Sequence, residues 1–186
     1  MAMAAARQET DVFAPILSSN DSHAAGWPVR LLVSSQTEAR HNRALWAPSH
    51  LISIRAPGTK LLSMIDLPPE RHLELIFGDA LDPDEPGAAR GEQIAEALAF
   101  VDRLPGDARL LVHCLRGIGR APALSLGILA RYLGPEDAAA ALHALKPDAK
   151  PNRHVVALCD SALGLKGKLS KQALRFPAKV WKPAKA

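Results

Sequence analysis

Short apolar runs take turns with helical patterns along this chain, and that alternation is what most restricts its fold. "VRLLVSS" (29–35), "HLISIRAPG" (50–58), "RHLELIF" (71–77) and "ARLLVHC" (108–114) each have the length and apolar density of a strand. After the first run, Ser35 with Glu38 fits a capping box that opens a helix through about Trp46. Between the third and fourth, Ile94, Ala97, Leu98 and Val101 fall at i, i+3, i+4 and i+7, giving one apolar helix face before Pro105 and Gly106. Strands separated by helices of this length predict an α/β fold: a central, mostly parallel sheet of about four to five strands, with right-handed crossovers and flanking helices. Three more helices are expected over 122–133, 136–145 and 151–163, with Pro151 at a helix start and Gly164 at its C-cap.

A length of 186 residues suits one domain with a sizeable core, placed at 27–165. Residues 1–26 show no sustained period and are expected to form an irregular arm. The net charge of +4 is local: Lys166, Lys168, Lys171, Arg175, Lys179, Lys182 and Lys185 follow Leu165 with no acid among them, leaving 16 basic against 19 acidic residues before them. Residues 166–186 therefore read as a basic, flexible tail, and the body lacks the basic face of a nucleic-acid binder. Trp27, Trp46 and Trp181 form no periodic stacking platform. No stretch reaches the roughly 18 apolar residues of a membrane span, and no export signal opens the chain. Cys114 and Cys159, too far apart for a CxxC pair, fit a reduced, cytoplasmic setting better than a disulfide or zinc framework.

The fourth strand runs into "CLRGIGR" and then a helix. At such a junction, helix N–H groups and the helix dipole favour an anion. Gly117 and Gly119 let the backbone of Leu115, Arg116, Gly117, Ile118, Gly119 and Arg120 turn its amides inward around a tetrahedral oxyanion. The planar fork of Arg120 binds two phosphate oxygens. The same field stabilises a thiolate, which makes Cys114 the candidate nucleophile. His113 points to the other side of the strand; its expected task is to hydrogen-bond the loop backbone from behind and help hold the thiolate.

"HCLRGIGR" matches HCxxGxxR at every fixed position and resembles the signature of the cysteine-dependent protein tyrosine and dual-specificity phosphatases. Residues 29–169 also look like segments of bacterial stand-alone tyrosine-phosphatase-like proteins. The resemblance implies a phosphocysteine route for hydrolysis of a phosphorylated protein or a small phosphomonoester. It also implies a general acid, an Asp just past the strand before the crossover helix and some thirty residues upstream of the cysteine. "IFGDALDPDEPG" offers Asp79, Asp82 and Asp84, at 35, 32 and 30 residues before Cys114. Asp79 directly follows the strand and is preferred; spacing alone favours Asp82. No metal or other cofactor is expected, because Arg120 and the amide ring neutralise the transferring group.

One position departs from the pattern. Ser or Thr usually follows the signature arginine and assists the cysteine as leaving group, but here Ala121 follows it. "GIGRAPAL" is similar in this to the phosphatases of regenerating liver, which keeps open a low-turnover or pseudophosphatase phosphate-binding module. Cys159 reads as a core cysteine, Arg116 as a loop cation, and Asn152, Arg153 and His154 as a helix N-terminus. The oligomeric state and the choice among phosphotyrosine, phosphoserine and phosphoinositide leave no mark in the sequence.

Overall fold

The computed structural model describes residues 30–60 and 67–176. Four strands, β1 (Leu31–Ser35), β2 (His50–Arg55), β3 (His72–Ile76) and β4 (Leu110–Cys114), form one sheet in the order β1-β4-β2-β3, with every pairing parallel. The sheet is flanked by α1 (Gln36–Trp46), α2 (Gly91–Asp102), α3 (Arg120–Leu133), α4 (Pro135–Leu145), α5 (Arg153–Ala162) and α6 (Lys168–Ala173). The expected α/β architecture is the one observed.

Local chemistry explains the boundaries. Ser35 Oγ accepts from Glu38 N–H at 3.1 Å, and the Glu38 carboxylate accepts from Ser35 N–H at 2.7 Å, so the capping box is complete. Helix α3 starts at Arg120, two residues before the expected Pro122; a proline in the first turn loses an N–H that has no intrahelical partner anyway. Helix α5 is capped by Asn152, whose Oδ1 accepts from Val155 N–H at 3.1 Å, so Pro151 precedes the cap instead of beginning the helix.

The two faces of the sheet differ. Leu32, Leu51 and Leu111 meet Ala39 and Trp46 of α1 in a small cluster. Leu31, Val33, Ile52, Ile54, Leu75, Leu110 and Val112 meet the other helices in the main core. Helix α3 is buried all round from Arg120 to Ala130, as a helix at the centre of a core must be. It crosses α5 closely, since a Cβ at Gly127 would stand 2.5 Å from Cys159 Sγ.

The tail boundary needs correction. Leu169, Ala173 and Phe176 belong to the main core, and Asp160 accepts from Gly167 N–H at 2.7 Å and Ser170 N–H at 2.9 Å. Their helical spacing of four and three residues lay hidden among lysines whose ammonium heads stay in water. The domain thus reaches at least Phe176, while the arm at 1–26 and the rest of the tail lie outside the described residues. No described helix is long and apolar enough to cross a membrane.

Candidate active site

Strand β4 lies between β1 and β2, and its C-terminal end delivers Cys114 to the start of α3. The thiol is buried, with Gly117 N–H donating to Sγ at 3.3 Å. The loop that follows is held by its carbonyls. Leu115 C=O accepts from Gln36 N–H at 3.3 Å, Ile118 C=O from Lys150 N–H at 2.8 Å, and Gly119 C=O from Asn152 N–H at 3.2 Å. Across a trans peptide the following N–H points the opposite way, so those of Arg116, Gly119 and Arg120 are directed away from these outer partners. The loop therefore keeps donors for an anion while satisfying its acceptors in the scaffold.

Arg120 is 6% exposed. Its Nη1 donates to the Phe77 carbonyl at 2.8 Å, fixing the guanidinium from the end of β3. Its Nε is buried and finds no hydrogen-bond partner among the described residues. A buried, charged donor left over after one edge is anchored is costly unless an acceptor arrives. Ile118 is half-buried, whereas Leu115 and Arg116 face solvent.

Asp79 is brought to the loop and Asp82 is not. A Cβ placed on Gly119 would stand 3.0 Å from Asp79 Oδ1, so the missing side chain makes room for that carboxylate. Asn152 Nδ2 donates to Asp79 Oδ1 at 2.8 Å and to Ala80 C=O at 3.0 Å. Asp82 is exposed and accepts from Asp84 N–H at 2.9 Å, which is a turn-stabilising contact. In the sequence Asn152 reads only as part of a helix N-terminus, yet in the structure it also holds Asp79. Its cap signal was visible, but its partners lie more than seventy positions upstream.

His113 departs from expectation. Its Nε2 lies 2.7 Å from Ser53 Oγ on β2, and Nδ1 has no partner among the described residues, so the expected bond to the loop backbone is not made. In-register pairing with Ser53 accounts for this, because the two side chains stand on the same sheet face. Burial, with a lesser contribution from the charge of His72, pushes the His113 pKa down to about 4, so the ring is neutral at pH 7. Burial, helped by Asp160, pushes the Cys159 thiol up to about 12. Among the described residues no three His, Cys, Asp or Glu side chains gather as a metal site.

The sequence matches no protein-family model and no curated protein. Solved structures do resemble it. The human tyrosine phosphatase-like serine/threonine/tyrosine-interacting protein is 19% identical, with 73% of this chain and 92% of that one covered at a TM-score of 0.57. DUSP15 is 22% identical over 80% and 94% of the two chains, with a TM-score of 0.55. The Cydia pomonella PTP-2 phosphatase is 17% identical over 70% and 84%, also at 0.55. None of these speaks for a bacterial subgroup. At such identities the likeness is one of architecture, and the fold of this chain is the one these tyrosine and dual-specificity phosphatase structures share.

Proposed function

We propose that this protein is a phosphomonoester hydrolase of the tyrosine-phosphatase type, acting on phosphotyrosine through a phosphocysteine intermediate. The observation that carries the reading is the buried Arg120, anchored through Nη1 and without a partner at Nε among the described residues, one loop away from a buried Cys114. Two oxygens of a phosphoryl group satisfy that guanidinium edge and complement the amides of the loop. Cys114 thiolate attacks phosphorus, the ester P–O bond breaks, and Asp79 gives its proton to the departing oxygen. Asp79, now ionised, takes a proton from water; the water oxygen attacks phosphorus, the S–P bond breaks, and inorganic phosphate leaves with the thiolate restored.

The test is vanadate-sensitive hydrolysis of an aryl phosphate, with phosphotyrosyl, phosphoseryl and inositide substrates compared on wild type and Cys114→Ser. Asp79→Ala is expected to lower kcat by about 10²–10⁴-fold while still binding substrate. Absence of turnover in wild type, together with no substrate trapping by Cys114→Ser, would remove the catalytic reading.

A second reading rests on Ala121, fully buried in the first turn of α3 with no hydroxyl to offer the leaving thiolate. In that case the first step outruns the second and the protein chiefly holds phosphate. Rapid-mixing kinetics then show a burst of aryl product followed by slow turnover, and Ala121→Ser shortens the slow phase. A steady rate without burst, unchanged in Ala121→Ser, excludes it.

A further inference from the structure

Four polar side chains cross the sheet in its spatial order: Ser34 on β1, His113 on β4, Ser53 on β2 and His72 on β3. Ser34 and Ser53 are each in register with His113, and His72 stands two residues before Glu74, the register partner of Ser53. All four therefore project on the face covered by α1. Ser53 is fully buried, and its Oγ lies 2.7 Å from His113 Nε2 and 2.9 Å from His72 Nε2. At the inner end, His113 Nδ1 and Ser34 Oγ are buried on neighbouring strands without partners among the described residues. A Cβ at Gly117 would stand 2.6 Å from the Ser34 carbonyl carbon, and Gly117 N–H donates to Cys114 Sγ. The line thus begins at half-buried His72 on the sheet edge and ends beneath the cysteine loop.

A serine hydroxyl has one hydrogen to give. We propose that Ser53 is a positioning residue that couples the protonation of His72 to the tautomer of His113, and through it to the floor of the Cys114 loop. Protonated His72 has no acceptor and must donate from Nε2 to Ser53 Oγ. The Ser53 hydrogen then goes to His113 Nε2, which leaves the His113 ring proton on Nδ1. With His72 neutral, Ser53 donates to His72 instead and His113 donates from Nε2. The net change is one proton taken from solvent at His72, with the His113 ring proton moved from Nε2 to Nδ1. Its effect on turnover rests on the phosphatase reading above; the coupling itself does not.

The surrounding groups set where this occurs. Burial lowers the His72 pKa, and Glu74 on the same strand opposes it. Arg55 of β2 is paired with Glu74, and Arg71 precedes His72 in the chain. Burial and the charge of His72 both hold His113 of β4 against taking a proton of its own, which leaves its tautomer as the response open to it. From α1 the apolar residues packed on this face are Ala39 and Trp46, and its titratable side chains Glu38, Arg40, His41 and Arg43 are exposed.

The test follows the ring nitrogens of His113 in histidine-¹⁵N-labelled protein across pH, alongside the rate of Cys114 alkylation by iodoacetamide. In wild type the protonated nitrogen of His113 changes from Nε2 to Nδ1 as His72 is protonated, and the alkylation profile has an inflection at the same pH. Both responses are lost in Ser53→Ala, where His72 still titrates, and in His72→Gln at the half-buried edge. A His113 tautomer that stays constant through the His72 titration in wild type, or a wild-type response in Ser53→Ala or His72→Gln, overturns the proposal. Neither readout needs turnover, so a protein without phosphatase activity still answers the question.

Discussion

Asn152 joins Asp79 to the cysteine loop: its side-chain amide donates to Asp79 Oδ1 at 2.8 Å, while its backbone N–H donates to Gly119 C=O at 3.2 Å. Its remaining oxygen caps α5 by accepting from Val155 N–H. At 1% exposure, this one residue, by its side chain on one side and its backbone on the other, ties the candidate acid to the candidate nucleophile loop. The two tasks separate by substitution. Asn152→Ala loses both and is expected to cost about 1 kcal/mol of stability for the cap. Asn152→Ser keeps a capping oxygen and loses the amide that reaches Asp79 and Ala80, so its urea midpoint is expected to lie above that of Asn152→Ala. Both variants should lower kcat by up to about 10²-fold, the cost of a catalytic group misplaced by about 1 Å. Full activity in Asn152→Ser would show that the amide does not place Asp79.

Burial of neutral His113 makes the fold sensitive to acid. Its pKa is about 4 in the folded protein against 6.5 for the free side chain. Between those values the unfolded chain binds a proton that the folded protein refuses. Stability therefore falls as pH drops from 6.5 and levels off below about 4, with a loss of about 3 kcal/mol from this ring. His50 and His72, whose pKa values burial also lowers, act in the same direction. Urea midpoints at pH 7, 5 and 4 check this, and His113→Asn should flatten the slope. A wild-type slope in His113→Asn assigns the effect elsewhere.

The two cysteines should behave oppositely towards alkylating reagents. Cys159 is fully buried against Gly127 with its thiol pushed up to about 12, so it holds almost no thiolate at pH 7. Cys114 sits at the loop with Gly117 N–H on its sulfur. Mass spectrometry after brief iodoacetamide treatment is expected to find label at Cys114 only, and vanadate should protect it. Label at Cys159 in the native protein would contradict the packing of α3 on α5.

What could be read from the sequence was what is local. The Ser35–Glu38 capping box needs only four residues, and the run from β4 through Gly117 and Gly119 into α3 is contiguous. The rest depends on strand order. His113 was expected to bond the loop, but β4 lies beside β2 in the sheet, and that places Ser53 under its ring. Asn152 carried a visible cap signal, whereas its bond to Asp79 spans 73 positions. Leu169, Ala173 and Phe176 have helical spacing, yet the surrounding lysines made the segment read as a solvated tail.

Gly117 offers the sharpest steric test of the loop, because Gly58 provides a control. Both have positive φ, 67° and 73°, so alanine costs about 1–2 kcal/mol of backbone strain at either. At Gly58 a Cβ would meet nothing within 4 Å. At Gly117 it would meet the backbone of Ser34 and Ser35, with the Ser34 carbonyl oxygen at 2.8 Å. Strand backbone cannot move aside as a flexible side chain does, so the loop itself must shift and carry its N–H away from Cys114 Sγ. Gly117→Ala is therefore expected to lose more stability than Gly58→Ala and, unlike it, to weaken vanadate binding measured by calorimetry. Equal effects at the two positions would mean that backbone conformation alone, and not the approach to β1, keeps residue 117 a glycine.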